Sequence, residues 1–379
     1  MNLPKEIDGE NPNLSVIHNE ETGGGNRQPA PASQPQKRLA HVDIARGLAI
    51  LLVVVGHGWL VLHDPTELYR VIYSFHIPLF LLLSGVFFDA ALPFWRMVRT
   101  RADALLKPYF VTLLAVAILQ SWMDGNTAAL PESIPAIFYG NARLPVWMPL
   151  WFLPHLFLLS VAAWLILGIL QVKKWRPLFQ AALLLGGLAV GVLTLRWAWP
   201  LALPGTSLRG LPFSADLLPV TAFYFLLGYL LRAQIKGPLS QPPVWTALAL
   251  AVFLGLHLTR NDSLDLNLRR YDGLVVSTLQ ALTGSYLVLA FSRALAGFQV
   301  PARLLGYLGR NSLLILIFHN PIQRSLFSLL SDFLGSHTAA SLLSSALAVL
   351  ACLLIAESVQ RIPALRMLYL PAAAGKRTG

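Results

Sequence analysis

The run ARGLAILLVVVGH, from Ala45 to His57, carries an arginine and a histidine eleven residues apart in an otherwise apolar stretch. Ionisable side chains in such a stretch are costly to bury, so each is a functional candidate. Eleven helical steps bring His57 to within about 20° of the face that holds Arg46 and about 16.5 Å further along the axis. One end of that face offers a guanidinium, which grips phosphate in a bidentate fork, and the other an imidazole, which exchanges protons near neutral pH. A second run, SFHIPLFLLLSG from Ser74 to Gly85, returns in the opposite direction. It brings His76 to the depth of His57 and Ser84 near that of Arg46, with Gly85 allowing close helix approach. With His155 in WFLPH, His257, and His319 in FHNP, five of the nine histidines fall in the corresponding portions of apolar runs. Imidazoles converging at one depth suit a metal site, a proton relay or a general base. A metal site calls for ligands at i, i+3 or i+4, or for nearby carboxylates, and neither pattern occurs. A transport relay recruits intramembrane Asp or Glu, which the apolar runs almost lack. General-base or acyl-transfer chemistry needs one well-placed histidine and a cationic site for an anionic donor.

The elements that position these residues follow from composition. Hydrophobic residues make up 55% of the 379 and charged ones 12%, against roughly 25% charged in a soluble domain, and the mean hydropathy is +0.60. This excludes a disordered protein, a disulfide-stapled secreted module and a typical nucleic-acid binder. The net charge of +11 reports orientation before it reports an anionic partner. The one cysteine, Cys352, forms no intrachain disulfide and reads as a buried thiol. Lys5, Glu6, Asp8 and Glu10 stand where the apolar core of a signal peptide would follow, so none is expected.

The chain divides into a disordered tail, residues 1–38, a membrane domain, 39–361, and a short basic tail, 362–379. Within the domain, stretches long enough for about 30 Å of hydrocarbon predict an all-α, polytopic fold of about ten transmembrane helices. Their expected ranges are 42–62, 69–91, 104–122, 150–170, 178–195, 216–234, 243–259, 274–295, 303–320 and 339–361. That arrangement puts 21 of the 29 Lys and Arg on the side of the termini and 8 on the other, which predicts cytoplasmic termini. No internal repeat is visible. Gly187 and Gly191 form a G-x-x-x-G, which lets helices approach closely. The loop 260–273 is unusually charged for a connector and reads as an ion-pair cluster or the lining of an acceptor entrance.

These residues resemble the membrane acyltransferase 3 family, in particular its fucose 4-O-acetylase-like branch, over Leu39 to Arg361. Arg46 and His57 match the family's R-x10-H signature. The run Phe75 to Gly85, the basic stretch with Arg96, Arg99, Arg101, Lys107 and Pro108, Trp151-Phe152-Leu153, and LGRNSLLILIFHNP from Leu308 to Pro321 accompany it in order. The chain departs from the family where Asn311 and Ser312, followed by Leu313 and Leu314, replace a more common Ser-Tyr pattern. The resemblance implies transfer of an acyl group, most often acetyl, from cytoplasmic acetyl-CoA to a hydroxyl of an exported or cell-surface polysaccharide or its lipid-linked precursor. It further implies a bacterial inner membrane, polysaccharide synthesis or export machinery as partners, and no metal, nucleic acid or permanently bound cofactor.

On that expectation His57 is the general base, with His76 or Asn311 fixing its tautomer, the alternative being a His57 acyl intermediate. Arg46, aided by Ser84, Arg96, Arg99, Arg101 and Lys107, receives the CoA donor. Phe75, Trp151, Phe152, His155, Asn311, Ser312 and His319 support the acceptor side. The competing reading is a secondary transporter or flippase for a sugar or lipid-linked sugar, against which stand the missing inverted repeat and the scarcity of intramembrane carboxylates.

Overall fold

The first helix, α1 (Ala40–Gly56), ends at the histidine that the sequence singles out. His57 keeps a helical backbone and its N–H still reaches the Val53 carbonyl at 3.0 Å, but Gly58 is extended (φ −69°, ψ 151°). Glycines on both sides of His57 weaken helix continuation, so the expected span 42–62 is broken there and resumes as the single turn α2 (Trp59–Leu62). The computed structural model describes residues 39–63, 67–123, 129–141, 148–198, 210–237, 242–260 and 264–372. The expected tail 1–38, residues 373–379 of the expected basic tail 362–379, and parts of the stretch between the expected third and fourth spans lie outside the described residues.

α3 (Glu67–Val86) packs antiparallel to α1, with Pro78 inside it. Next comes a 30-residue run of α4 (Phe94–Arg101), a π-helical turn and α5 (Lys107–Met123), then α6 (Ala129–Tyr139). The remaining elements are α7 (Phe152–Trp164), α8 (Pro177–Ala198), α9 (Leu218–Leu230), α10 (Arg232–Lys236), α11 (Pro243–Thr259), a two-stranded hairpin of β1 (Leu264–Asp265) and β2 (Arg270–Tyr271), α12 (Leu274–Leu295), α13 (Gln299–Arg310), α14 (Ser312–Leu334), α15 (His337–Arg361) and α16 (Pro363–Tyr369). The antiparallel hairpin pairs Leu264 with Tyr271 and Asp265 with Arg270.

Among the described residues eight helices are long and apolar enough to cross a membrane, so the fold is all-α and built for multiple passes. Two of the expected spans, α1 and α11, are 17 residues each, about 25 Å of helix and at the short end of the range. The expected ninth span, 303–320, is divided. Residues 303–310 belong to α13, a strongly amphipathic helix, while the long helix starts at Ser312 and continues through Pro321 to Leu334. Arg303 and Arg310 keep one face of α13 polar, and Pro321, which reads as a terminator in water, is tolerated in a helix surrounded by other helices.

Large apolar side chains cover the surface, unlike that of a soluble bundle, and polar side chains stand among the buried apolar ones. Trp122, Trp197, Leu258, Phe333 and Leu354 point outward, whereas Ser160, Thr221, Ser277, Gln280, Ser285, His319, Asn320 and Gln323 are buried. Two pairs of reciprocal glycine contacts hold the central helices at close range. A Cβ at Gly47 would stand 2.0 Å from the Leu305 carbonyl oxygen, and one at Gly309 would stand 1.9 Å from that of Asp43, which locks α1 to α13. Gly85 and Gly228 do the same between α3 and α9, at 1.9 Å from Phe225 O and 2.0 Å from Leu82 O. In the G-x-x-x-G of α8 only Gly191 serves this purpose, against Pro219 and Val220, while Gly187 meets nothing within 4 Å.

Candidate functional site

The antiparallel packing of α1 on α3 sets the geometry of both ends of the site. At one end the Arg46 guanidinium lies 4.4 Å from the centre of the Phe87 ring, and the Lys236 ammonium lies 4.7 Å from the same ring. Arg101 sits over Phe88 at 5.3 Å and Arg232 over Tyr229 at 4.4 Å, the two rings being 6.3 Å apart. Four cations therefore gather round one aromatic patch. Asp43 on α1 and Asp89 are the carboxylates that act on members of the cluster, and Asp43 also stands 3.9 Å from Arg310. Burial, together with Arg232 and Arg46, holds the Lys236 ammonium below its usual range. A surplus of positive charge held on aromatic faces has the chemistry to bind a polyanion such as a phosphate ester.

Of the expected donor-site residues, the structure brings Arg101 to Arg46. Arg96 and Arg99 are exposed on α4. Lys107 is engaged elsewhere, 2.7 Å from Asp103 and donating to the Leu370 carbonyl at 2.7 Å, where it ties the segment after α16 to the bundle. Ser84 spends its hydroxyl on the Phe80 carbonyl at 2.8 Å in its own helix. In the sequence Arg232 and Lys236 contribute only to the charge asymmetry; their place follows from the packing of α10 against α3, which the sequence does not announce.

At the other end of α1 three histidines meet. His57 and His76 line one small cavity, of about 50 Å³, together with Val53, Phe80, Trp151, Phe152 and Leu316. The His319 ring centre is 5.5 Å from that of His57, at an interplanar angle of 44°. The Nδ1–H of His76 is donated to the Ile72 carbonyl at 2.9 Å. That of His319 is donated to the Ile315 carbonyl at 2.8 Å, with Leu316 O at 3.1 Å. A carbonyl can only accept, so both rings carry the proton on Nδ1 and present Nε2 as the free nitrogen. Nε2 of His319 and Nδ1 of His57 are buried and without a hydrogen-bond partner.

Above His57 and His76 a second cavity of about 300 Å³ is roofed by the hairpin. Tyr69, Tyr73 and Trp151 supply flat apolar faces, and Asp265, Asn267 and Arg270 supply polar groups. Asp265 is fixed by the Tyr69 hydroxyl at 2.7 Å and the Leu268 N–H at 3.1 Å. The hairpin is anchored by the buried Arg269, whose Nε and Nη2 reach the two Asp216 oxygens at 2.8 and 3.2 Å. Tyr271 shares its hydroxyl with those of Tyr224 and Thr278, each at 2.7 Å, and burial raises its pKa, so it stays a neutral partner. In the charged loop 260–273, Arg269 therefore forms a buried ion pair with a residue outside the loop, while Asp265, Asn267 and Arg270 line the cavity.

Other expected residues are placed apart from this chamber. Asn311 does not reach His57: its amide donates to Tyr307 O at 3.0 Å and accepts from Gln360 at 3.1 Å, so it joins α13, α14 and α15. Ser312 follows it at the start of α14. Phe75 fills the notch left by Gly284 and meets Phe253 edge-on. His155 is bonded at both nitrogens, to Phe213 O at 3.1 Å and Thr221 Oγ1 at 3.0 Å. His257 pairs with Glu67 at 2.7 Å. Among the described residues no group of three or more His, Cys, Asp or Glu is placed to hold a metal ion.

No curated protein and no solved structure matches the chain. Residues 39–357 do match a family model, the Acyl_transf_3 acyltransferase domain, and that range contains the cationic patch and the histidine chamber entire. With most of its length matched, and with helices suited to repeated membrane crossing, the chain belongs to the Acyl_transf_3 family of membrane acyltransferases.

Proposed function

We propose that the protein is an O-acetyltransferase of the fucose 4-O-acetylase-like branch, moving acetyl from cytoplasmic acetyl-CoA to a hydroxyl of an exported or cell-surface polysaccharide or its lipid-linked precursor. The observation that carries this reading is the position of His57, which lines both the inner cavity and the hairpin chamber while Arg46 and its cationic neighbours stand at the other end of the same helix. The phosphates of CoA bind at Arg46, Arg101, Arg232 and Lys236. The pantetheine arm has to cover the roughly 16.5 Å between Arg46 and His57, and the cavity walled by Val53, Phe80 and Phe152 would receive its thioester end beside His57. The acceptor hydroxyl enters from the hairpin chamber, where aromatic faces meet C–H surfaces and Asp265, Asn267 and Arg270 meet hydroxyls.

His57 acts as general base. The buried Nε2 of His319, turned inward by its backbone hydrogen bonds, takes the Nδ1–H of His57 directly or through one water, which leaves Nε2 of His57 with the lone pair. The acceptor's proton passes to that nitrogen as its oxygen bonds to the thioester carbonyl carbon. Collapse of the tetrahedral intermediate breaks the C–S bond, and the departing CoA thiolate takes the proton back from His57. In this reading ten spans cross a bacterial inner membrane with both termini cytoplasmic, which puts the cationic patch on the side of acetyl-CoA. The partners are then acetyl-CoA, the carbohydrate and the polysaccharide synthesis or export machinery.

The test is the O-acetyl content of the host's surface polysaccharide, by proton NMR, in a strain lacking the protein and complemented with wild type or His57→Ala. Restoration of ester signals by wild type alone, at equal membrane levels, supports the reading. Polysaccharide that is absent from the surface of the deletion strain yet acetylated inside the cell would transfer the role to a transporter.

A further inference from the structure

On the α14 side of His57 lies another cavity, of about 350 Å³, that nothing in the transfer step uses. It is within the size range of small-molecule sites, roughly 300–1,000 Å³. Asn320 and Gln323 line it, each 2% exposed, and Asn320 Oδ1 and Gln323 Oε1 have no hydrogen-bond partner. The Gln323 NH2 donates to Val54 O at 3.0 Å and to Ser345 Oγ at 2.7 Å, while that serine donates to Ser341 O. The unpaired atom is therefore its carbonyl oxygen. Buried acceptors left open are expensive, and hydroxyl donors satisfy them. One wall is aromatic, with Trp59 stacked on Phe327 at 5.6 Å, and Arg324 stands exposed among the lining residues. Flat rings beside hydroxyl-seeking carbonyls make a surface for a sugar ring.

His57 and Leu62 line this cavity and the hairpin chamber alike. We infer that the α14 cavity is a second carbohydrate subsite, and that the acceptor is a chain of joined sugar units passing His57, with the acylated unit under the hairpin and its neighbour against Trp59 and Asn320. The enzyme then acts after glycosyl transfer has linked the units, and free monosaccharides are poor acceptors. This rests on the acyltransferase reading.

The experiment uses the full chain in lipid nanodiscs with radiolabelled acetyl-CoA. The acceptors are the host's own surface polysaccharide, stripped of esters with mild base and cut and sized into monosaccharides, disaccharides and longer fragments. One satisfied acceptor pair raises kcat/KM by about tenfold from monosaccharide to the fragments of two or more units. Asn320→Leu, and independently Arg324→Ala at an exposed position that folding tolerates, should cut that preference to about threefold or less. Equal transfer to all lengths by wild type would overturn the second subsite and leave the acyltransferase standing, as would Asn320→Leu and Arg324→Ala proteins that both fold and both keep the full preference. No transfer to any fragment would overturn both readings together.

Discussion

The packing of α7 on α9 and the packing of α1 on α14 each enclose a histidine of 0% exposure, His155 in the first and His319 in the second. His155 uses both ring nitrogens, one on the Phe213 carbonyl and one on Thr221, and so fastens the turn before α9 to α7. His319 uses Nδ1 on its own helix and leaves Nε2 buried and unpaired, facing a neighbour, His57, with an unpaired nitrogen of its own. Burying an open polar atom costs stability, and the proposed general-base mechanism gives the two open nitrogens of this pair a use. On this comparison the ring tied at both nitrogens is expected to be structural, and the ring tied at one to serve the reaction.

The largest effect that follows is at His57. His57→Ala should lower acetyl transfer by about 10²- to 10⁴-fold, the usual contribution of a general base, with protein still present in the membrane. A folded variant with wild-type turnover would break the comparison at its centre. Next is His319, read here as a positioning residue. His319→Leu should reduce kcat by about 10- to 100-fold, as loss of a tautomer-fixing partner does elsewhere, with KM for acetyl-CoA little changed. His319→Gln, which restores an acceptor, should recover part of the loss; equal damage from both variants, with KM raised, would make His319 a packing residue like His155.

The sequence showed this asymmetry only partly. Arg46 and His57 are legible because an ionisable residue in an apolar run is rare and helical periodicity is simple to count, and His76 follows from the antiparallel return of the next run. His155 and His319 read alike from sequence, since each is a lone histidine in an apolar helix, and only the cross-helix partners separate them. The break at Gly56-His57-Gly58 and the division of the ninth span at Asn311 escaped because a hydropathy window averages over a kink. Lys107 and Asn311 looked like site residues in their local runs, but their partners, Leu370 and Gln360, lie hundreds and tens of residues away. Asn320 lies beside His319 inside FHNP, but nothing in that run marks its carbonyl as open.

The cationic end offers a third, smaller effect. Arg46→Ala should raise KM for acetyl-CoA by about tenfold, equivalent to roughly 1.4 kcal/mol, with kcat much less affected. Arg46→Lys should restore little, because an ammonium lacks the planar fork that pairs with phosphate. An unchanged KM would make Arg46 a residue that packs on Phe87 and nothing more. At His155 the expectation moves from turnover to stability. His155→Ala deprives the Phe213 carbonyl of its imidazole donor, at a cost of about 1–3 kcal/mol. Thermal unfolding in detergent should show the lower midpoint, while the folded fraction keeps its specific activity; a loss of activity without a loss of stability would move His155 into the chemistry.

The smallest effect is expected at His257, and it tests the comparison from its weak side. The ring meets Glu67 at 2.7 Å, but the Glu67 side chain is 69% exposed and Arg70 also reaches the same carboxylate, at 2.8 Å. His257→Gln therefore leaves a carboxylate that keeps water and an arginine, so the loss should stay within about 1 kcal/mol, as for exposed ion pairs. Depth in the membrane does not distinguish His257 from His57 in the sequence, so depth alone would predict comparable damage at both. Near-wild-type transfer by His257→Gln beside an inactive His57→Ala would show that the open nitrogen, rather than the depth of the imidazole, marks the working histidine. A large loss in a folded His257→Gln would mean that the Glu67 pair shapes the hairpin chamber through α3, and that a tied ring can matter as much to the reaction as an open one.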